Sequence, residues 1–396
     1  MSFETPLSPE CGSYIDGQRY PIATWRGLRG PGKPTVISTL IRSDAAGGHN
    51  VPKEGRAWRT ARNEAGGTPM PPDPEWEEDN MRVPSGWTDR SRTDIVVRDP
   101  VLNPGEERTP WTIVGLCSGV GLLERAIHEV IENYEVAART VLLSELEEDR
   151  RGLLKLRFPD VPDGDIIGTL GTAVPGDPTK GTLDERARAA LARHQGATIL
   201  SAGIPCEADS SARAGKGPKP EEHATRHVMD LVLQAVGVVR PVACLFEDVD
   251  EFGRNTAGLA VLVKGLAALG YDSSWRVLAA NQVGGAHQRK RIFALAWQRG
   301  FTPPPPAGFP HGLGFHDRVE PVNGPVPYAN PEWVEGGWGC RRPATGDRAD
   351  AQFRIEVLGG AVDGPTAMVA ADALTLLLLE GRKATLPKYG TSAPKR

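Results

Sequence analysis

Residues 111–126 read Trp-Thr-Ile-Val-Gly-Leu-Cys-Ser-Gly-Val-Gly-Leu-Leu-Glu-Arg-Ala, an apolar run followed by a glycine-rich loop and then by helix-forming residues. A short apolar strand, a glycine turn and a helix in this order are typical of one unit of an open α/β sheet. Glycines let the backbone approach a ligand closely, and a helix N-terminus presents unpaired N–H groups. The loop is therefore a candidate ligand site, with a tight structural turn as the alternative interpretation.

The same alternation continues to residue 297. Further apolar runs that predict strands lie at residues 141–143, 199–202, 242–246 and 292–296, and helix-like stretches lie at 122–136, 223–239 and 256–269. Strand, helix, strand at this spacing favours an α/β fold whose mostly parallel sheet has helices on both faces. A last amphipathic helix is expected to start near Pro365, a favourable first-turn residue, and to end near Glu380.

Composition narrows the class of protein. The 396 residues carry a formal net charge of −4, with 39% hydrophobic and 24% charged residues, so we expect a folded protein of two domains or of one large domain with insertions. The absence of a long apolar run or a leader predicts a cytoplasmic protein without a membrane span. Five scattered cysteines form neither a disulfide framework nor a zinc pattern, so no metal site is predicted. The acidic balance argues against an evenly basic nucleic-acid surface and leaves room for a local basic cleft.

The two regions that flank this alternation differ from it. Residues 1–110 and 298–357 are rich in Pro and Gly and predict turns, short strands and loops. Within the first, residues 19–62 carry nine Lys or Arg and few acids, whereas residues 73–79 are acidic. A solvated surface and a patch that faces nucleic acid both fit this segregation. The basic tail, residues 382–396, is expected to be frayed.

Two carboxylates are placed where α/β proteins bind nucleosides. Glu145 follows the second predicted strand, where a carboxylate commonly binds ribose hydroxyls, and Asp165 lies in Gly-Asp-Ile after a presumed third strand. Each one alone is typical of a surface carboxylate. Their order and spacing together favour a nucleoside-containing cofactor.

Cys206 lies in Gly-Ile-Pro-Cys, directly after an apolar strand and before a polar loop. Structural cysteines usually lie within apolar runs, as Cys244 does, so this placement predicts a functional thiol. Glu247 lies in Glu-Asp-Val at the end of the next strand, and Arg289 and Arg291 precede the last one. Without context, these three residues are typical of a strand-end carboxylate and a solvated turn.

In this order the motifs resemble those of the DNA cytosine-5 methyltransferases. The resemblance rests on residues 116–121, Glu145, 164–166, 203–206, 247–249, 289–291 and a late Gly-Gly-Ala-Val at 359–362. It covers most of 111–297 and 358–380, or about half of the chain. It implies a Rossmann-like methyltransferase lobe with a mixed, mostly parallel sheet, and a small loop-rich target-recognition lobe.

The resemblance also implies an activity, the transfer of a methyl group from S-adenosyl-L-methionine to C5 of a flipped-out cytosine in double-stranded DNA. Cys206 would add to C6, because C5 alone is too weak a nucleophile for a sulfonium methyl group. Glu247 would hold N3 and the amino edge of the base. Arg289 and Arg291 would contact the base carbonyl or a nearby phosphate and help to order the Cys206 loop.

Ten residues would contact the cofactor according to the resemblance. The glycine loop would pass beside the methionine moiety, Glu145 would bind the ribose, Asp165 and Ile166 the adenine, and the remaining residues would close the pocket. They are Cys117, Gly119, Val120, Gly121, Glu145, Asp165, Ile166, Pro205, Gly360 and Val362.

The sequence departs from the family's motifs at five positions: Glu207, Asp209, Asp248, His287 and Gly360 replace Gln, an aromatic residue, Asn, Gln and Asn. A carboxylate at Asp248 is expected to raise the pKa of Glu247 and keep it a proton donor. Three alternatives stay open: an RNA (tRNA) cytosine-5 methyltransferase, a relative that only binds DNA, and one that transfers a modified group from an altered sulfonium cofactor.

Only about 60 residues separate the Arg-Lys-Arg strand from the last helix, where the family usually has a long recognition segment. Residues 33–37 and 56–65 loosely resemble a motif missing from that segment. We therefore hypothesise a permuted arrangement in which 1–110 and 298–357 form the DNA-facing lobe, with an unrelated N-terminal module as the alternative. The catalytic domain would be residues 111–297, and a helix at 358–381 would return to it. We expect a monomer that acts in bacterial or phage restriction–modification.

Overall fold

The computed structural model describes residues 73–100, 109–205, 226–250, 252, 258–283, 289–301 and 347–385, together with two short paired strands, β1 (Gly12–Ile15) and β2 (Gln18–Pro21). Several predicted features lie outside the described residues. They are Cys206, Glu207, Asp209, His287, the segments 33–37 and 56–65, and most of the predicted recognition segment 298–357.

A seven-stranded sheet forms the centre of the described chain. Helix α1 (Pro74–Asn80) precedes it, and its strands are β3 (Trp111–Leu116), β4 (Ala138–Ser144), β5 (Ile166–Ile167), β8 (Ile199–Gly203), β9 (Ala243–Val249), β10 (Tyr271–Ala279) and β11 (Lys290–Gln298). A separate antiparallel hairpin, β6 (Gly171–Val174) and β7 (Asp177–Leu183), follows β5. The helices are α2 (Leu122–Asn133), α3 (Glu148–Arg157), α4 (Glu185–Arg193), α5 (Arg226–Val239), α6 (Leu259–Ala268), α7 (Arg348–Gly360) and α8 (Gly364–Thr385).

The strand order is β10-β11-β9-β8-β3-β4-β5. Strands β9, β8, β3, β4 and β5 are parallel, and β11 pairs antiparallel with both β9 and β10. This is the mixed, mostly parallel Rossmann-like sheet that the sequence predicts. The chain runs from β3 outward through β4 and β5 and then returns to β8 on the other side. The crevice beyond the carboxyl ends of β3 and β8 is therefore the topological switch point, where open α/β sheets bind their ligands.

Both faces of the sheet are covered by apolar helix faces. Residues of α2, α3, α7 and α8 pack on one face, and residues of α4, α5 and α6 pack on the other. Strands between two helix layers read as continuous apolar runs, and all seven residues of β9 are buried. Residues 348–381 include a window as long and apolar as a membrane span, and 78% of that window is buried inside the protein.

The sequence prediction did not locate α3, α4 or the β6–β7 hairpin, and the structure differs from it in further elements. The Gly-Asp-Ile motif does not follow a strand: a 3-10 turn, Asp163–Asp165, leads into β5. Strand β10 was not predicted, because its residues are largely polar or exposed. Helix α7 occupies the end of the predicted recognition segment and ends at Gly360. Helix α8 ends at Thr385, four residues into the predicted tail.

Within the N-terminal region, residues 73–100 pack on helices of the catalytic sheet. Helix α1 packs against α7, and the Gly364 N–H donates to the Met81 carbonyl at 3.1 Å. The Val97 N–H donates to the Arg157 carbonyl at 2.6 Å. The division into 1–110, 111–297, 298–357, 358–381 and 382–396 stays a prediction.

Candidate active site

The carboxyl ends of β8 and β9 and the start of β11 bring three of the predicted motifs together. Gly203 lies opposite Glu247 in the sheet, and the Ile204 N–H donates to the Glu247 carbonyl at 2.9 Å. Pro205, which is half-buried, follows directly. The described chain therefore reaches the residue before Cys206 right beside Glu247.

Arg291 contacts the carboxylate of Glu247 from the neighbouring strand. Its Nε atom lies 2.8 Å from Glu247 Oε1. Burial raises the pKa of Glu247, and the charges of Arg291 and Arg289 offset this only in part. Burial disfavours the charged form of a carboxylate, so Glu247 holds its proton at a higher pH than an ordinary glutamate.

Arg289 points to a different partner. Its guanidinium is buried and donates to the carbonyl oxygens of Gly359 at 3.0 Å and of Ala361, just after the end of α7. A cation at a helix C-terminus satisfies carbonyls that have no partner within the helix. The structure thus brings Arg291 to Glu247 and Arg289 to the late Gly-Gly-Ala-Val motif.

The glycine loop after β3 has a left-handed backbone at three positions, Cys117, Gly119 and Gly121, with φ of 50°, 57° and 78°. A Cβ atom at Gly119 would meet no atom within 4 Å, so open space lies above this residue. A Cβ at Gly121 would come within 2.3 Å of the Phe158 ring. Glycine is required there because the loop lies flat on that ring, and at Gly119 it leaves room for a ligand.

Glu145 fixes the same loop from the end of β4. Its Oε2 accepts a hydrogen bond from the Gly119 N–H at 2.8 Å, and its Oε1 accepts one from the Glu147 N–H at 2.9 Å. The next residue, Leu146, is 72% exposed although it is large and apolar. Leu146 therefore presents an apolar surface beside the Glu145 carboxylate, at the rim of the crevice. This residue was not predicted from the sequence.

The thiol of Cys117 is not an activated nucleophile. Burial and the negative charges of Glu145 and Glu124 raise its pKa to about 12. A thiol with such a pKa stays protonated near neutral pH and is unreactive. Cys117 therefore contributes backbone geometry and packing to the loop.

Glu124, a buried acid beneath the glycine loop, was not predicted as a site residue from the sequence. Its Oε1 accepts hydrogen bonds from the Ser201 hydroxyl at 2.8 Å and from the Ser118 hydroxyl at 3.3 Å. Burial raises its pKa to about 7. An acid in the first turn of a helix normally reads as a favourable partner of the helix dipole, so no sequence signal distinguished it.

The other predicted cofactor residues lie around the rim and in the core. Asp165 accepts from the Arg193 guanidinium, and its Oδ1 lies 3.3 Å from His194 Nε2. Ile166 and Val362 are buried in the apolar core. A Cβ atom at Gly360 would meet no atom within 4 Å. The proposed adenine contacts of Asp165 and Ile166 therefore stay predictions.

With this geometry established, comparison with known proteins identifies related sequences. Residues 111–312 match the profile of the C-5 cytosine-specific DNA methylases. The Type II methyltransferase M.NlaIV of Neisseria lactamica is 28% identical over 193 residues, which are 46% of this chain and 40% of the relative. The Type II methyltransferase M.DsaV of Dactylococcopsis salina is 23% identical over 194 residues, 48% of this chain and 47% of the relative.

The chain thus spans less than half the length of these two curated relatives. Among solved structures, the S. pombe Dnmt2 methyltransferase is similar with a TM-score of 0.41 and 14% identity, over 68% of this chain and 99% of that one.

Proposed function

Because the chain belongs to the C-5 cytosine-specific DNA methylase family, we propose that it transfers a methyl group from S-adenosyl-L-methionine to C5 of a cytosine flipped out of double-stranded DNA. One observation carries the proposal: β8 leads the chain to the residue before Cys206 directly beside Glu247, which Arg291 contacts from β11. The reaction needs a thiol, a proton donor and a cation: Glu247 and Arg291 lie together at the carboxyl end of β9, and Cys206 is the next residue in sequence after Pro205.

The crevice beside these groups fits the cofactor. Open space lies above Gly119, and the N-cap of α2, Gly121, makes no side-chain cap hydrogen bond, so the first turn of this helix is a candidate site for the carboxylate of an amino acid. Glu145 has carboxylate oxygens at the loop for ribose hydroxyls, and the exposed Leu146 offers an apolar surface to the adenine. S-adenosyl-L-methionine, when bound, supplies the methyl group.

The residues of the chain would activate the base. The thiolate of Cys206 adds to C6 while Glu247 gives a proton or a strong hydrogen bond to N3, and the electron pair that reaches C5 makes this carbon nucleophilic. Once C5 carries the methyl group, N3 returns any proton it received to Glu247, and a base or a water molecule removes the C5 proton. The electrons of that bond then expel the Cys206 thiolate from C6 and restore the aromatic ring.

Asp248 replaces the usual asparagine beside Glu247. It is buried, and its Oδ1 accepts from the Val249 N–H at 2.7 Å. A carboxylate accepts this bond as well as an amide oxygen does, but it lacks the amide's two donors. We propose that the substitution is tolerated because the accepting half of the amide's role is retained.

We further propose a cytoplasmic, monomeric enzyme that acts on double-stranded DNA and protects it in a restriction–modification or phage setting. The names of the two relatives, both Type II methyltransferases, support the restriction–modification setting. The local positive charge that DNA binding needs is expected from residues 19–62 and from the exposed Lys290, because its neighbours Arg289 and Arg291 are engaged with the Gly359 carbonyl and with Glu247.

Sequencing of DNA from cells that express the chain, by a method that reads 5-methylcytosine, tests activity, base and site together. The wild type is expected to methylate cytosine at a defined site, and Cys206→Ala is expected to lose methylation and the covalent complex with 5-fluorocytosine DNA. Retained methylation in that variant contradicts the mechanism.

Methyl incorporation into tRNA but not into duplex DNA supports the RNA alternative. Mass spectrometry that finds a different group on cytosine supports the altered cofactor, and binding without transfer supports the DNA-binding relative.

A further inference from the structure

Residues 81–97, which we call the strap, lie against the glycine loop that follows β3. The indole N–H of Trp87 donates to the Val120 carbonyl at 2.9 Å. Trp87 is 1% exposed, and its ring meets that of Phe158 edge to face, with centroids 6.4 Å apart. Phe158 is also the ring on which Gly121 lies. Two neighbouring loop residues are therefore held by one aromatic pair.

Arg157 forms hydrogen bonds along much of the strap. This arginine, the last residue of α3, is fully buried, and its five N–H groups donate to five strap carbonyls. The acceptors are the carbonyl oxygens of Gly86, Trp87, Asp89, Arg92 and Ile95. A guanidinium has five donors in fixed directions, so using all of them leaves the strap little freedom.

A second buried cluster joins the strap to α7. Glu78 accepts hydrogen bonds from the Gly86 N–H at 2.6 Å and the Thr88 N–H at 2.8 Å, and from the Arg354 guanidinium at 3.1 Å. At the strap's other end, the Met81 carbonyl accepts from the Gly364 N–H, two residues beyond the late Gly-Gly-Ala-Val motif. The strap thus connects the first and last motifs of the proposed cofactor site.

We propose that the strap is a positioning element of the cofactor site and that Trp87 is its positioning residue. Trp87 fixes the Val120 carbonyl and with it the loop from Gly119, above which open space lies, to Gly121, which lies on the Phe158 ring. The inference rests on the proposed function, because it assigns the loop to S-adenosyl-L-methionine. It gives residues 81–97 a role that no motif in them announces.

Trp87→Phe tests this role, because it removes the N–H donor and keeps an aromatic ring against Phe158. Affinity for S-adenosylhomocysteine, measured by calorimetry, is expected to fall about fivefold, as one neutral hydrogen bond predicts. The KM for S-adenosyl-L-methionine should rise by a similar factor while kcat at saturation stays close to wild type. Trp297→Phe is the matched control. This buried tryptophan lies beside Ala243, at the end of β11 opposite Arg291. The affinity of this variant for S-adenosylhomocysteine should equal that of the wild type.

Hydrogen exchange on the wild type provides a test that needs no variant. Binding of S-adenosylhomocysteine should slow exchange in peptides from the strap together with those of the loop, and leave α6 unchanged. Protection of the loop without the strap, or a Trp87→Phe variant that melts earlier but binds as tightly as wild type, overturns the inference. A wild-type protein that does not bind S-adenosylhomocysteine at all contradicts the proposed function instead.

Discussion

The Nε atom of Arg291 lies 2.8 Å from Oε1 of Glu247, and the two side chains are only 14% and 11% exposed. They are diagonal neighbours on antiparallel strands, since Glu247 pairs with Phe293 and Arg291 with Val249. The contact therefore follows from the register of β9 and β11. It places one cation where it opposes the effect of burial on the proposed proton donor.

Arg291→Gln is expected to change the pH dependence of the reaction. Arg291 lowers the pKa of Glu247 against the larger effect of burial, so its removal lets that pKa rise further. A proton donor is competent below its pKa, so the alkaline limb of kcat should move to higher pH. The plateau value of kcat should fall about 10- to 100-fold, because Arg291 no longer helps to position the cytosine.

A matched control for this variant is Arg299→Gln, which breaks the exposed ion pair with Asp272 beyond the other end of β11. It should leave both the profile and the plateau unchanged. An Arg291→Gln enzyme with an unshifted alkaline limb would mean that Glu247 does not supply the proton.

Arg289→Lys is expected to affect the cofactor more than the base. The guanidinium donates to the carbonyls of Gly359 and Ala361, and a lysine cannot reach both in the same geometry. The turn between α7 and α8 should loosen, and the KM for S-adenosyl-L-methionine should rise about 10-fold or more. Steady-state kinetics at saturating DNA measures this, and an effect confined to the KM for DNA would instead support a phosphate contact.

Arg157→Lys is expected to destabilise the protein. Lysine has three donors where arginine has five, so strap carbonyls lose their partners, including the buried ones of Gly86 and Trp87. The free energy of unfolding should fall by about 2–4 kcal/mol, which denaturant titration can resolve. Arg188→Lys, on the exposed face of α4, should change it by less than about 0.5 kcal/mol.

The parallel strands β3, β4, β8 and β9 were predictable because they are buried and read as apolar runs, whereas β5 has only two residues and was not. Strand β10 was not, because an edge strand needs few apolar residues, and Trp275 and Val277 are in fact exposed. Helix α7 also escaped prediction. Its sequence carries buried Arg354 alongside apolar residues, and the charge finds its partner in Glu78, which is 276 residues away.

The site was predictable where a motif sits at a strand end and unpredictable where a side chain has a distant partner. Glu145 and Glu247 lie as their positions after β4 and in β9 imply. Arg289 lies just before β11 and Arg291 lies in it, and their different partners depend on which elements pack around each side chain. Trp87 and Val120 are 33 residues apart, and no local pattern relates them.

Glu124→Gln is expected to alter the dependence of stability on pH. Burial raises the pKa of Glu124 from 4.5 to about 7 in the folded protein. Below pH 4.5 the folded and the unfolded chain both hold the proton, so Glu124 does not lower the free energy of unfolding. Between 4.5 and about 7 the unfolded chain releases it while the folded protein keeps it, so wild-type stability falls as pH rises, by about 3 kcal/mol in total.

A glutamine has no proton to release and still accepts a hydrogen bond from Ser201, so the variant escapes this loss. Its free energy of unfolding relative to wild type should therefore increase steadily from pH 4.5 to about 7 and then level off. Denaturant titrations of both proteins across this range measure the difference. Glu185→Gln, an exposed first-turn acid of α4, is the control and should show no such trend. If the difference between Glu124→Gln and wild type is the same at every pH, then Glu124 is not the neutral buried acid that its hydrogen bonds and burial indicate.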